Sequence, residues 1–205
     1  MEIITREMAV RNLKQYIGKD LRQLATQNGI TTYETGRQNK GWKGLVLERL
    51  AGLNPGNVKA PNGETFELKS VAFYNVRGQL VPKETMAIGM INPEELISTP
   101  FFESHCWFKL KSLILCAVMW HGRDAQEAEL VSVTGFDFLE THSFVKEIKE
   151  DYELVREKLI NQGFESLTGR YGKWIQPRTK GSGHGSTSRA FYARKELVKE
   201  IFKIK

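Results

Sequence analysis

Cysteine is scarce in this sequence, which has two in 205 residues, Cys106 and Cys116. Two cysteines cannot build the disulfide framework that stabilises small secreted domains, so we expect buried free thiols in a reducing cytosol. The cysteines and histidines also lack the spacing of a zinc site, which argues against a zinc-stabilised domain.

Long apolar segments are missing as well. The longest apolar run, residues 113–120, is too short to cross a bilayer, so we expect no membrane partner. The N-terminal residues do not form a signal-peptide pattern, which predicts a cytoplasmic location. No internal repeat or low-complexity segment is visible in the chain.

The composition is that of a globular protein with an excess of positive charge. Hydrophobic residues make up 40% of the chain, enough for one compact domain or two small lobes. The formal net charge is +6. A basic protein of this size suits a polyanionic partner such as a nucleic acid.

The most informative short segment is residues 61–69, whose sequence is PNGETFELK. Its first three residues are typical of a turn, and Phe66 and Leu68 begin a strand. Because side chains alternate along a strand, Glu67 and Lys69 must lie on the same face. Carboxylates bind hard cations such as Mg²⁺, and a lysine offsets charge on a phosphate. The pattern is typical of a metal-dependent phosphodiesterase.

A helix is predicted from about residue 40 to residue 51, with Asn39 as its N-cap and Gly52 at its end. Glu48 lies at the border of its apolar face. Such an acid could be an ordinary surface charge, or it could point along the edge of the core into a site.

The other periodic segments predict alternating helices and strands. Helices are expected at residues 5–28 (two short ones), 93–98, 144–160 and 196–204, and strands at residues 66–73, 84–91, 110–120 and 130–133. The strand at 110–120 is continuously apolar enough to be central and buried. The acids and lysines of the 144–160 helix are expected on its solvated face. The fold class predicted from this order is α/β.

A basic, glycine-rich segment covers residues 168–190. Its cationic and aromatic members are Tyr171, Trp174, Arg178, Lys180, His184 and Arg189. Glycine permits close backbone approach, and Arg and Lys bind phosphate or read guanine edges. The segment is therefore either a DNA-binding element or the tip of a hairpin without function.

Residues 61–69 resemble the catalytic motif of the PD-(D/E)xK nucleases. A wider set of ordered segments resembles the MutH family of these nucleases and spans roughly residues 40–200. These segments are KGWKG (40–44), LE (47–48), LAG (50–52), ELK (67–69), PKET (82–85), ESH (103–105), KLK (109–111), QPRTK (176–180) and RAFYARK (189–195).

The resemblance implies a restriction-endonuclease-like fold, with a mixed central β-sheet flanked by helices and two lobes around a DNA cleft. The catalytic lobe would cover about residues 1–120 and the DNA-recognition lobe about 121–205. The implied catalytic residues are Glu48, Asn62, Glu67, Lys69 and Lys109, with Asn62 and Glu67 holding Mg²⁺. The expected residues for binding double-stranded DNA are Lys40, Arg178, Lys180, His184, Arg189 and Tyr192.

One position departs from the family pattern, because Asn62 stands where the family has a metal-binding aspartate. The chain could be naturally weakened or inactive, it could carry an engineered Asp→Asn change, or its site could use other acids. The spacing from position 62 to Glu67 is closer to that of the MvaI/BcnI restriction enzymes, which implies a monomeric type II restriction endonuclease. The alternatives are a MutH-type nicking endonuclease that needs an activating protein, a non-catalytic DNA-binding relative, and a small-molecule enzyme with a Glu/Lys pair.

Overall fold

The structure is a computed structural model that describes residues 4–34, 37–38, 41–53, 65–121, 128–181 and 187–202. The helices are α1 (Arg6–Lys14), α2 (Leu21–Gln27), α3 (Trp42–Ala51), α4 (Pro93–Ser98), α5 (His105–Phe108), α6 (Ser143–Gln162) and α7 (Lys195–Phe202). The strands are β1 (Tyr33–Glu34), β2 (Arg37–Gln38), β3 (Glu67–Val76), β4 (Gln79–Pro82), β5 (Met86–Met90), β6 (Ser112–Met119), β7 (Leu130–Asp137), β8 (Ile175–Thr179) and β9 (Arg189–Ala193). The predicted α/β class is confirmed.

The chain divides into two compact units that are not continuous in sequence. The first unit comprises residues 1–84 and 112–136, and the second comprises residues 85–111 and 137–203. The division into a catalytic lobe over about 1–120 and a recognition lobe over about 121–205 is a functional assignment and stays a prediction.

The first unit contains a four-stranded mixed sheet with the order β4-β3-β6-β7. Strand β3 pairs antiparallel with β4 and parallel with β6. The residues of β6 from 113 to 118 are all buried, which confirms the predicted central strand. The mixed sheet flanked by helices is the arrangement expected of a restriction-endonuclease-like fold.

Strand β4 was not predicted. It follows β3 through a two-residue turn in which Arg77 has φ of 53° and Gly78 has φ of 85°. Positive φ at both positions matches the right-handed twist of a tight hairpin. The Asn75 side chain closes the turn by accepting a hydrogen bond from the Gly78 N–H at 2.9 Å. The hairpin extends β3 to Val76, beyond the apolar residues that predicted the strand.

In the first unit, side chains cap the starts of helices α1 and α2, and a glycine lies at the end of helix α3. The Thr5 hydroxyl accepts from Met8 N–H at the start of α1, and the Asp20 carboxylate accepts from Arg22 N–H at the start of α2. Helix α3 ends at Gly52 as predicted. The helix begins at Trp42, with Gly41 at the N-cap position and no side-chain cap, and the predicted N-cap Asn39 lies outside the described residues.

The core of the first unit lies between helices α1–α3 and one face of the mixed sheet. Its buried members include Leu13, Leu21, Trp42, Val46, Leu47, Phe66, Leu68, Ile114, Cys116, Val118, Leu130 and Val133. Even-numbered residues of β3 and β6 belong to this face. Because side chains alternate, Glu67 and Lys69 lie on the opposite face of the sheet.

The second unit is built on a three-stranded antiparallel sheet with the order β5-β9-β8. Helix α6 packs against it, and the Tyr152 ring stacks on Phe191 of β9 with centroids 5.6 Å apart. The Tyr152 hydroxyl donates to the Thr99 carbonyl at 3.1 Å, which ties α6 to the end of α4.

Both cysteines are buried free thiols, as predicted. Burial raises the pKa of the Cys116 thiol to about 12 and raises the pKa of Cys106 still further. Neither thiol is therefore suited to act as a nucleophile. Within the residues that the structure describes, no helix combines the length and apolarity needed to cross a membrane.

Candidate active site

Glu67 and Lys69 form an ion pair at the beginning of β3. The Lys69 Nζ atom donates to Glu67 Oε1 at 2.8 Å, and the two side chains are only 16% and 6% exposed. The period of the strand places them side by side, and the parallel neighbours Leu113 and Leu115 of β6 hold their register. A shielded environment of this kind strengthens electrostatic interactions with a bound anion or cation.

Glu48 lies in the same unit, in the second half of α3. Its side chain is partly buried, and α3 packs against β3. This position agrees with one of the two interpretations of the sequence, in which Glu48 is an acid at the edge of the core. Its catalytic role stays a prediction.

Lys109 belongs to the second unit and directly follows α5. It is buried, with 8% of its surface exposed, which is uncommon for a lysine. A Cβ atom added to Gly89 of β5 would lie 3.9 Å from the Lys109 side chain and 3.2 Å from the His105 ring. Glycine at position 89 therefore leaves room for both side chains.

Three predicted site residues, Lys40, Asn62 and His184, lie outside the described residues. Of the two predicted metal ligands, the structure describes Glu67. Its buried carboxylate has the oxygen donors that Mg²⁺ prefers, and it fits the role of one ligand. Among the residues described, no group of three or more His, Cys, Asp or Glu side chains lies close enough to hold a metal ion.

Arg178 and Tyr192 lie together on one face of the sheet of the second unit. Strand register pairs Gln176 with Tyr192, so Arg178 is the diagonal neighbour of that ring. The guanidinium carbon lies 5.5 Å from the ring centroid, and Nη1 donates to the Thr85 hydroxyl at 3.0 Å. Arg178 is exposed and held in one orientation, as a residue that contacts a ligand needs to be.

Arg189 lies on the other face of the same sheet and is buried, with 5% of its surface exposed. Its guanidinium group donates to the Leu167 and Thr187 carbonyls and forms an ion pair with Glu165 at 2.9 Å. These contacts organise the segments before β8 and β9. The DNA-binding role expected of Arg189 stays a prediction. Lys180, just after β8, is exposed.

Asp151 is a residue whose importance the sequence analysis missed. The acids of α6 were expected on its solvated face, but Asp151 is buried, with 6% of its surface exposed. Its carboxylate accepts hydrogen bonds from the backbone N–H groups of Lys173 and Trp174, both at 2.6 Å, and from Ile175 at 2.9 Å. The signal was its position three residues after Ile148, inside the apolar stripe of the helix.

The chain is similar in sequence to proteins of DNA mismatch repair. The family model described as the DNA mismatch repair enzyme MutH matches residues 59–151. The DNA mismatch repair protein MutH of Shigella flexneri serotype 5b (strain 8401) is 24% identical over 196 residues, which cover 95% of this chain and 84% of that protein. MutH of Escherichia coli O17:K52:H18 (strain UMN026 / ExPEC) shows the same identity and coverage. This chain therefore resembles the MutH proteins in sequence.

The similarity to MutH extends over both units of the fold. The residues matched by the family model include Glu67, Lys69 and Lys109, and the alignments with the MutH proteins cover nearly the whole chain. The resemblance to MutH-like PD-(D/E)xK nucleases is confirmed, and the role of each site residue stays a prediction.

Proposed function

We propose that this MutH-like chain is an endonuclease that hydrolyses phosphodiester bonds in duplex DNA with the help of Mg²⁺. The observation that carries the proposal is the buried Glu67–Lys69 ion pair at the start of β3. Such a pair combines a ligand for a hard cation with a positive charge for a phosphate. The similarity to MutH proteins supports this activity over a small-molecule reaction.

Lys69 and Glu67 have complementary tasks in the proposed reaction. The Lys69 ammonium group stabilises negative charge that develops on the non-bridging phosphate oxygens. The Glu67 carboxylate orients that ammonium group through the 2.8 Å hydrogen bond, since both side chains leave the same face of β3. Exclusion of water from the pair makes both effects stronger than they would be at an exposed surface.

Glu67 and residue 62 would hold the metal ion. When bound, Mg²⁺ polarises the phosphate and lowers the pKa of water, which supplies the nucleophile at neutral pH. Asparagine at position 62 offers a neutral oxygen in place of a carboxylate, so we expect weaker metal binding than in a variant with aspartate there.

Arg178 and Tyr192 are proposed to contact the DNA, with Lys40, Lys180 and His184 as further DNA-binding residues. Arginine can donate two hydrogen bonds to a guanine edge, and its contact with Tyr192 holds the guanidinium group in place. Lys180 is suited to the phosphate backbone.

Two biological roles are compatible with this activity. The similarity to DNA mismatch repair proteins favours a mismatch-repair nickase, which would act with an activating protein. A type II restriction enzyme remains the alternative, and it rests on the short spacing between position 62 and Glu67. The two differ in product, because a nickase converts supercoiled plasmid to open circles and a restriction enzyme converts it to linear fragments.

The decisive experiment incubates unmethylated supercoiled plasmid with Mg²⁺ and four proteins: the unaltered chain, Asn62→Asp, Glu67→Gln and Lys69→Gln. We expect cleavage by the unaltered chain or, more strongly, by Asn62→Asp. Glu67→Gln and Lys69→Gln, each in the more active background, should lower the rate by about 100-fold or more.

The control is Glu140→Gln, which removes an exposed carboxylate, and it should cleave normally. Cleavage that survives Glu67→Gln would contradict the proposed site. If neither the unaltered chain nor Asn62→Asp cuts but both bind DNA, the chain is a non-catalytic DNA-binding relative.

A further inference from the structure

A group of three cations surrounds two tryptophan rings in the first unit, and we call Arg22, Lys43 and Lys83 the cationic cluster. The Arg22 guanidinium carbon lies 5.3 Å and the Lys43 Nζ atom 5.8 Å from the Trp42 ring centroid. The Lys83 Nζ atom lies 4.2 Å from the centroid of Trp120. Cation–π contacts of this kind hold flexible side chains in place.

Within the described residues, the cationic cluster has more positive charge than its neighbours neutralise. None of the three cations forms an ion pair there, and the buried Arg22 Nε atom has no hydrogen-bond partner in the part of the chain described. Burial lowers the pKa of Lys43, Glu84 opposes that shift, and the charges of Arg22 and Lys83 add to it. The environment of Lys43 in the folded protein therefore disfavours its charged form.

Lys83, the member of the cationic cluster that follows strand β4, lies well away from the proposed catalytic pair along the same sheet. Lys83 follows Pro82, which pairs with Phe73 of β3, and Trp120 follows Met119, which pairs with the same residue. Phe73 is six positions after Glu67, which corresponds to about 20 Å at roughly 3.3 Å per residue. Lys83 is too distant to serve the phosphate that reacts at Glu67.

We propose that Arg22, Lys43 and Lys83 bind the phosphate backbone of the DNA at a position flanking the cleavage site. The inference rests on the proposed function, because it assigns the cluster to the same substrate. Three convergent cations suit phosphate oxygens, and side chains already ordered on tryptophan rings lose little conformational entropy when they bind. Lys43 would gain a counter-charge.

The test measures binding of the full chain to a fluorescent duplex of about 24 base pairs by anisotropy, without Mg²⁺, over a series of salt concentrations. The Lys43→Gln/Lys83→Gln variant should bind about tenfold more weakly at low salt. Its plot of log affinity against log salt should have a slope smaller by about 2, because each phosphate contact contributes about 0.9.

The matched control is Lys146→Gln/Lys149→Gln, which removes the same charge from α6, where acids such as Glu147 and Glu150 alternate with the lysines. It should keep the slope of the unaltered chain. A third variant, Glu84→Gln, removes the negative charge beside Lys43 and should tighten binding.

The outcomes separate the two proposals. If Lys43→Gln/Lys83→Gln has the same slope as the control, the cluster does not bind the backbone, although the proposed function stands. If the unaltered chain itself does not bind DNA in a salt-dependent way, the proposed function fails. Circular dichroism of each variant shows whether the fold is retained, and Lys43→Gln alone provides a milder change if the double variant unfolds.

Discussion

Lys43 is a single residue whose charge disfavours folding. Burial and the nearby charges of Arg22 and Lys83 lower its pKa below the ordinary value of 10.5, with partial compensation from Glu84. Because the unfolded chain binds this proton more tightly, folding stability rises with pH between the lowered pKa and the ordinary value. At neutral pH the ammonium group is therefore destabilising.

Lys43→Met should raise the melting temperature at pH 7 by about 2–4 °C, since it removes a poorly solvated charge and keeps the volume. The gain should shrink as the pH approaches 10.5. Thermal unfolding followed by circular dichroism measures both effects, and the exposed Lys14→Met serves as control. A lower melting temperature for Lys43→Met would show that the lysine stabilises the fold.

At the residue scale, the sequence predicts which side chains lie next to each other when the residues are close together in one strand or helix. Glu67 and Lys69 could be placed side by side because an alternating strand leaves no other arrangement. Asp151 could not be assigned, because its partners at 173–175 are more than 20 residues away in sequence. Arg189 was equally hard to assign, since burial of a cation depends on distant carbonyl groups.

At the scale of elements, Asp151 connects α6 to the start of β8. Its three hydrogen bonds fix the loop before Ile175, where Gly172 has φ of 83°. A Cβ at Gly172 would lie 1.9 Å from the Ile175 carbonyl oxygen, so no other residue fits without rearrangement. The loop sets the direction in which β8 presents Arg178.

Asp151→Ala should lower the free energy of unfolding by about 3 kcal/mol, because it leaves one buried and two partly buried N–H groups without an acceptor. Asp151→Asn keeps one acceptor oxygen and should lose less. Urea unfolding measures the difference, with the exposed neighbour Glu150→Ala as control. Equal stability of Asp151→Ala and the control would mean that the loop does not depend on the carboxylate.

Gly89 lies at the irregular position of strand β5. The register of β5 against β9 shifts between Ala87 and Gly89, and the His105 ring lies against Gly89. A side chain at this position would displace His105 and, through the intervening turn, Lys109. The predicted catalytic residue Lys109 and His105 are thus both positioned by the glycine at position 89.

Gly89→Val should reduce the cleavage rate by about tenfold, since the added side chain would displace Lys109, a predicted catalytic residue, from its position. Adding His105→Ala should restore part of the loss by making room, and a plasmid-cleavage assay follows both variants. Gly44→Ala, where an added Cβ meets nothing within 4 Å, should leave the rate unchanged. Failure of His105→Ala to rescue Gly89→Val would contradict the steric explanation.

For the whole molecule, the helices other than α5 and the strands β3, β5, β6 and β7 were predictable, but the other strands and the pairing of the strands were not. The apolar segment 110–120 correctly indicated a central strand because burial on both faces removes polar residues. The β3–β4 hairpin was missed because its turn is Arg-Gly, whereas Asn-Gly is the usual signal. Nothing local in the sequence indicates that β9 pairs with both β5 and β8, since that depends on long-range contacts.

The order of strands in the second unit has a consequence for synthesis of the protein on the ribosome. Strand β9, the middle strand of that sheet, is made last, more than 90 residues after β5. Until it emerges, β5 and β8 are strands without their shared partner, and exposed strand edges promote aggregation. A nascent chain halted before residue 189 therefore has two unpaired strand edges, and synthesis of β9 is the step that closes them.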